Sequence, residues 1–313
     1  MGKGRARISI VLVTTLLVLG VGQLANPPAG AAKSGPCGTM SLSSTHYHHV
    51  IWVWMENHSY SSIIGSSSAP YENTLATQCG LATNYHNISH PSLPNYIGAT
   101  SGLSETAVQA FASDCSPSST CDTSGPSIFS QVASWKAYEE SMPSNCDSSD
   151  AGLYAVRHNP PPYYTTLSGC SSSDVPYTKL GPDLKKNALP SFSFITPNLN
   201  DDMHDGTVAM GDKWLKVHLR TIFRSSAYRG GTVVVFITWD EGEGGSATDC
   251  PTNVTDVGCH VATIVVSPST TPGTASSTLF NHYSLLLTTE KLLGAPALGQ
   301  AAGATSMQTA FNL

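Results

Sequence analysis

The run Thr232–Thr238, TVVVFIT, carries no charge, and every residue but Phe236 is β-branched. A strand with no side suited to water demands a sheet that is covered on both faces. Three more runs read as strands: His49–Met55 (HVIWVWM), Ser191–Thr196 (SFSFIT) and Val261–Ser267 (VATIVVS). Helical signals lie between them, at Tyr71–Cys79 behind Pro70, at Ser127–Glu140 and at Gly211–Phe223, and His282–Leu293 reads as a closing helix. Leu153–Val156 reads as a short strand, and residues 112–125 and 159–178 as ordered loops. No repeat or linker divides the 313 residues. The pattern predicts one α/β domain with a mainly parallel central sheet and helices on both faces.

The first residues describe something else. Lys3, Arg5 and Arg7 precede an apolar run from Ile8 to Leu19, followed by Ala29-Gly30-Ala31-Ala32. A basic head, a short apolar run and an A-x-A site read as a secretory leader, predicted over residues 1–31. The run is shorter than the ~20 residues of a spanning helix. The expectation is therefore a secreted, extracellular protein with no stable membrane insertion. Its mature net charge would be 12 − 21 = −9, from 15 Lys+Arg less three and 21 Asp+Glu. Such a charge does not suit a nucleic-acid partner. Eight cysteines with no C-x-x-C pair favour disulfides over a zinc ribbon. Short loops favour Cys115–Cys121, Cys146–Cys170 and Cys250–Cys259, leaving Cys37 with Cys79, although sequence does not fix the pairing.

In such sheets the ligand site lies beyond the carboxyl ends of the strands. Only 12% of residues are charged, yet three strand ends deliver carboxylates. Glu56 and Asn57 follow the first, Asp201, Asp202, His204 and Asp205 the second, and Asp240, Glu241 and Glu243 the third. Oxygen donors with a few imidazoles suit a divalent ion, and Ca, Mg, Mn, Fe and Zn all remain open. A fourth segment, SHPSLPNY (Ser89–Tyr96), places Ser92 just ahead of a predicted helix. The helix dipole and free N–H groups there favour a phosphate and a serine alkoxide. An N-cap would use the same residue type.

Seven motifs now stand in order: ENHSYSSIIG (Glu56–Gly65), HPSLPNYIGATSG (His90–Gly102), SWKAYEESMP (Ser134–Pro143), RHNP (Arg157–Pro160), DDMHDG (Asp201–Gly206), WDEGEGG (Trp239–Gly245) and FNHYSLLLTTEKLLG (Phe280–Gly294). This set resembles the secreted phosphoesterases that include bacterial acid phosphatases and phospholipases C, with an alkaline phosphatase-like fold. The resemblance implies that residues 32–313 form a phosphoesterase domain. It implies metal ligands at Glu56, Asn57, Ser92, Asp240 and Glu241, with Asp202 as a further ligand or as an orienting group for His204. It implies Ser92 as nucleophile, and His158 and His204 as groups that hold phosphate or protonate the leaving oxygen. His260 and His282 stay open between site and structural roles.

The leading expectation is a metal-dependent acid phosphatase acting on small phosphate monoesters through a phosphoserine. A phospholipase C-type diesterase acting on a phospholipid headgroup is the alternative. Ser92-Leu93-Pro94 is followed by Asn95-Tyr96 and not by a suitably placed arginine, which disfavours a sulfatase. A calcium-binding non-enzyme would explain the carboxylates, but not Ser92, His158 and His204. A Ser-His-Asp esterase lacks its G-x-S-x-G elbow.

Overall fold

The computed structural model describes residues 1–2, 35–245 and 247–313. The leader expected over residues 1–31 lies almost wholly outside the described residues. The chain divides into two units, Met1–Lys33 and Ser34–Leu313, and every element below belongs to the second.

Nine strands form one sheet among the described residues: β1 (His49–Met55), β2 (Gly80–His86), β3 (Trp135–Glu139), β4 (Asp174–Pro176), β5 (Phe192–Thr196), β6 (Val233–Trp239), β7 (His260–Val266), β8 (Thr274–Ser276) and β9 (Phe280–Asn281). Their order is β4-β3-β5-β1-β6-β7-β2-β8, with β9 also on β2. β4, β3, β5, β1 and β6 run parallel, while β7 is antiparallel to both β6 and β2. The reversal has a simple cause. A parallel return needs a crossover, and among the described residues from Asp240 to Cys259 the one helical element is the 3₁₀ turn Val257–Cys259.

Both faces are covered, as the uncharged strands require. On one face Trp52 and Trp54 of β1 meet the helices Ser92–Ser101 and His282–Leu293. Trp52 Nε1 donates to Thr289 at 2.9 Å, and the Trp54 ring lies 4.9 Å from Tyr96 and 4.7 Å from His282. Alternation sends Met55 to the other face, where it meets Gly211 of the helix Val208–Phe223. A side chain at Gly211 would meet the Met203 methyl at 2.4 Å, so any larger residue there would displace Met203.

The strands at 49–55, 191–196, 232–238 and 261–267 stand within a residue or two of expectation, as do the helices Pro70–Gln78 and His282–Leu293. Ser127–Glu140 does not. Only Ile128–Gln131 is helical, and Trp135–Glu139 is β3, paired along β5 from Trp135↔Phe192 to Glu139↔Thr196. A strand position beside β5 buries Trp135, Ala137 and Tyr138, and that pairing overrides the helical spacing. Leu153–Val156 is no sheet strand either. Ala151 and Tyr154 share one bridge, and Val156–His158 is a 3₁₀ turn. The expected loop at 159–178 contains the edge strand β4 and the short helix Cys170–Ser173. β2 was not expected, because GLATNYH is half polar and carries an irregularity between Ala82 and Tyr85.

Disulfides join Cys37–Cys79, Cys115–Cys121, Cys146–Cys170 and Cys250–Cys259. No helix among the described residues is long and apolar enough to cross a membrane.

Candidate active site

The chain leaves β1 at Met55, and three strand ends are then stitched together by backbone hydrogen bonds. Glu56 N donates to Asp202 O at 2.8 Å, and Asp240 N donates to Met55 O at 3.0 Å. Asn57 takes φ 53°, a left-handed conformation that asparagine tolerates. Its N–H donates to Asp240 Oδ1 at 3.0 Å. The carboxylates that follow β1, β5 and β6 thus share one place.

Glu56 stands at the centre and is wholly buried. Its Oε2 accepts from Ser92 Oγ at 3.1 Å, and its Oε1 accepts from the Tyr96 hydroxyl. Ser92 is the first residue of the helix Ser92–Ser101, one position further in than expected. Tyr96 lies one turn on, so a single helix presents both hydroxyls to Glu56. The amides at this N-terminus are not all free, because Leu93 N–H donates to Asp114 Oδ1 at 2.9 Å. Asp114 precedes Cys115, and the Cys115–Cys121 bridge closes its loop.

The 3₁₀ turn Val156–His158 brings in His158, and the loop after β5 brings in His204. His158 Nδ1 faces Asp202 Oδ2 at 3.2 Å, and Asp202 Oδ1 accepts from His204 N–H at 2.7 Å. His158 Nε2 lies 3.4 Å from Glu56 Oε1 but makes no hydrogen bond. Arg157 Nη2 donates to His204 Nε2 at 3.1 Å, since a guanidinium has only donors. The His204 proton therefore sits on Nδ1, which donates to Asp205 Oδ1 at 2.7 Å. Glu241 Oε2 lies 2.8 Å from His90 Nδ1 and accepts from Asn95 Nδ2 at 3.4 Å.

All eight expected site residues, Glu56, Asn57, Ser92, His158, Asp202, His204, Asp240 and Glu241, are thereby brought together. His282 stands behind them. Its Nε2–H donates to the Asp240 carbonyl at 2.7 Å, and its Nδ1 faces the Tyr85 hydroxyl at 3.0 Å. His260 is elsewhere, stacked on Tyr60 at 4.5 Å with Nε2–H donating to Thr83 O. Sequence reasoning gave no role to Tyr96, His90, Arg157, Asp205 or Asp114. The first four lie inside the motifs already singled out, so their signal was present. Asp114 offered only its place beside a loop-closing cysteine.

The electrostatics are unfavourable as they stand. Burial, then Asp240 and Asp202, push the Glu56 carboxyl well above its ordinary range. Burial and Glu241 do the same to Asp240, and burial carries Asp202 to about 7. Burial, helped by Arg157 and His204, holds His158 well below the usual imidazole range. Among the described residues no lysine or arginine pairs with Glu56 or Asp240. Asp240 Oδ2 and His158 Nε2 are buried without hydrogen-bond partners. Clustered carboxylates and orphaned acceptors fit a cation-binding pocket. The two Cys-containing clusters of ligand-type residues, around Cys250–Cys259 and Cys146–Cys170, are already spent on disulfides.

Comparisons with known proteins identify the family and the fold. A phosphatidylinositol-3-phosphatase of Mycobacterium tuberculosis is 32% identical over 94% of this chain and 89% of its own length. An acid phosphatase of Aspergillus fumigatus is 25% identical over 87% of this chain, and a phosphate-repressible acid phosphatase of Penicillium chrysogenum 28% over 79%. The chain spans 61% and 59% of those two fungal proteins. The fold is shared with an alkaline phosphatase superfamily protein from Vibrio parahaemolyticus (TM-score 0.55, 11% identity, 87% of this chain and 74% of that one). Human ectonucleotide pyrophosphatase/phosphodiesterase 5 also matches (TM-score 0.57, 9% identity, 85% and 100%). The profile of the Phosphoesterase family covers residues 65–296. With that match and a relative alike along nearly its whole length, the chain belongs to the Phosphoesterase family and is a hydrolase acting on phosphoric ester bonds.

Proposed function

We propose that the chain is a secreted, metal-dependent acid phosphatase that hydrolyses phosphate monoesters through a phosphoserine at Ser92. The observation that carries this reading is Ser92 Oγ at 3.1 Å from the buried Glu56, at the head of a helix. Glu56, Asn57, Ser92, Asp240 and Glu241 would hold a divalent cation. Both Asp202 oxygens already serve His158 and His204, so Asp202 is assigned to positioning. When bound, the cation neutralises developing charge and lowers the pKa of a neighbouring hydroxyl.

Arg157 and the N-terminus of the helix Ser92–Ser101 orient the phosphate. Ser92 Oγ attacks phosphorus and passes its proton to Glu56; the Oγ–P bond forms as the P–O bond to the leaving group breaks. The proton that Glu56 took from Ser92 passes to the leaving oxygen, and His204, fixed between Arg157 and Asp205, flanks the phosphate. Asp202 keeps the His158 ring fixed, with its unprotonated Nε2 turned toward Glu56. Water then cleaves the phosphoserine by the reverse path, releasing inorganic phosphate.

The names of the relatives favour monoesters over the phospholipase C alternative, and the Mycobacterium protein points to an inositol phosphate headgroup among them. The leader over residues 1–31 and four disulfides support secretion. The test sets a chromogenic monoester beside its matching diester, with and without chelator. Chelator-sensitive monoester turnover is expected. Ser92→Ala should lose at least about 10³-fold in kcat, and acid quench of the parent should trap phosphate on Ser92. Turnover by the alanine variant would refute the nucleophile assignment.

A further inference from the structure

Fifteen lysines and arginines, less Lys3, Arg5, Arg7 and Lys33, leave eleven beyond residue 34, and eight of those lie between Lys179 and Arg229. All eight are exposed. Lys216, Arg220 and Arg224 recur at a spacing of four along and just past the helix Val208–Phe223, so they form one stripe. They line a groove with Tyr71. Arg224 also lines the neighbouring groove with Lys185 and Arg229, which joins the two into a continuous basic face.

The carboxylates nearby are turned away. Asp212, the one acid in that helix, is buried and accepts from the N–H groups of Tyr71 and Glu72 at 2.8 and 2.9 Å. Asp183 is held by Lys136 at 2.5 Å. Asp201 alone lines the site-proximal end, beside Lys213. Two large apolar side chains stand out among the cations: Val217 is 57% exposed and Met210 is 41% exposed. On a protein of net charge −6, such a concentration of like charge repels itself and suits an anionic partner. Cations interleaved with apolar side chains suit a lipid surface, where both contribute. Nucleic acid would call for exposed rings to stack on bases, and Trp214 of this helix is buried.

We propose that this face docks the enzyme peripherally on anionic phospholipid bilayers. The helix of 16 residues begins three positions after Asp205, so its length of about 24 Å links the docked face to the mouth of the site. Each basic side chain near such a bilayer adds about fivefold to partition, so a few of the eight suffice.

The test is co-sedimentation of the full chain with phosphatidylcholine vesicles, with and without about 30% phosphatidylglycerol. The parent should bind the anionic vesicles at about 0.1 M salt, bind the neutral ones far less, and be released near 1 M. K216E/R220E/R224E shares the parent's N-terminus, so any difference reads this face alone. It should lose at least about tenfold in partition, while its melting temperature and its turnover of a soluble monoester stay at parent values. The pair K185E/R229E, in the second groove, serves if the triple variant melts early. Equal binding by parent and variants overturns the proposal, as does equal binding to neutral vesicles or none at low salt. Capture of a DNA oligomer in place of vesicles also overturns it. These readouts do not depend on whether Ser92 is the nucleophile.

Discussion

Glu56 shows how the site is built against the stability of its own fold. It is a fully buried acid, flanked by Asp240 and Asp202, and all three carboxyls are raised by burial. A group whose folded pKa is raised contributes stability that is intact below its unfolded pKa and is lost as pH rises through the folded value. Near pH 7, with no cation bound, Glu56 therefore weakens the fold. Glu56→Gln removes the charge and keeps the shape. In chelator at pH 7 this variant should melt above the parent, and added divalent ion should no longer raise its melting temperature. The parent should gain several degrees on addition of the ion, since a ligand at about 100 times its Kd adds about 2.7 kcal/mol. Differential scanning fluorimetry reads both, and a variant that melts below the parent in chelator would refute the account.

At the scale of elements, the helix Ser92–Ser101 is fixed at its start from outside. Pro91 cannot cap with its side chain, and Asp114 supplies the missing acceptor to Leu93 N–H from a disulfide-closed loop. Asp114→Ala should cost about 1 kcal/mol, the ordinary worth of a helix cap, and should lower kcat because Ser92 begins the same turn. Asp114→Asn keeps an acceptor and should recover most of both. Urea unfolding with parallel kinetics checks this; a full kcat in a destabilised alanine variant would separate the cap from the site. The same helix shows what was legible beforehand. The carboxylates after β1, β5 and β6, with His204, were readable because uncharged strands announce where they end, Ser92 because Pro94 marks a helix start, and His158 only through the resemblance carried by RHNP. Asp114 was not, because a cap supplied by a distant loop leaves no local pattern. β3 was misread because WKAYE carries both periods, and only pairing with β5 decides between them. β2 was missed because a half-polar, irregular strand has neither the apolar run nor the strict alternation of a sheet interior.

At the scale of the whole molecule, a second layer of buried acid connects the fold to its working pH. Glu139 and Asp174 lie on one sheet face, beneath His158, because Asp174 pairs with Ala137 two residues before Glu139. Thr196 Oγ1 reaches both Glu139 Oε1 at 3.3 Å and the His158 carbonyl at 3.2 Å. Asn159 Nδ2 donates to Asp174 Oδ2 at 2.8 Å. Asp174 Oδ1 is buried with no hydrogen-bond partner. Burial carries Asp174 to about 7 and raises Glu139 further, with Asp174 adding to it. The folded state thus holds protons that the unfolded chain releases near pH 4. Stability is full below that value and declines as pH rises through about 7. Asp174→Asn removes the titrating group but keeps an acceptor for Asn159. The parent should lose melting temperature between pH 5 and pH 7.5, and the variant should lose less, so the gap between them widens with pH in the variant's favour. A constant gap across that range would mean that the pair carries no linked proton. The outcome bears on function, because Thr196 links Glu139 to the His158 carbonyl and Asp174 holds the next residue, Asn159. A phosphoesterase whose inner acids are in place only when protonated should keep its site in order on the acid side of neutrality and loosen it above.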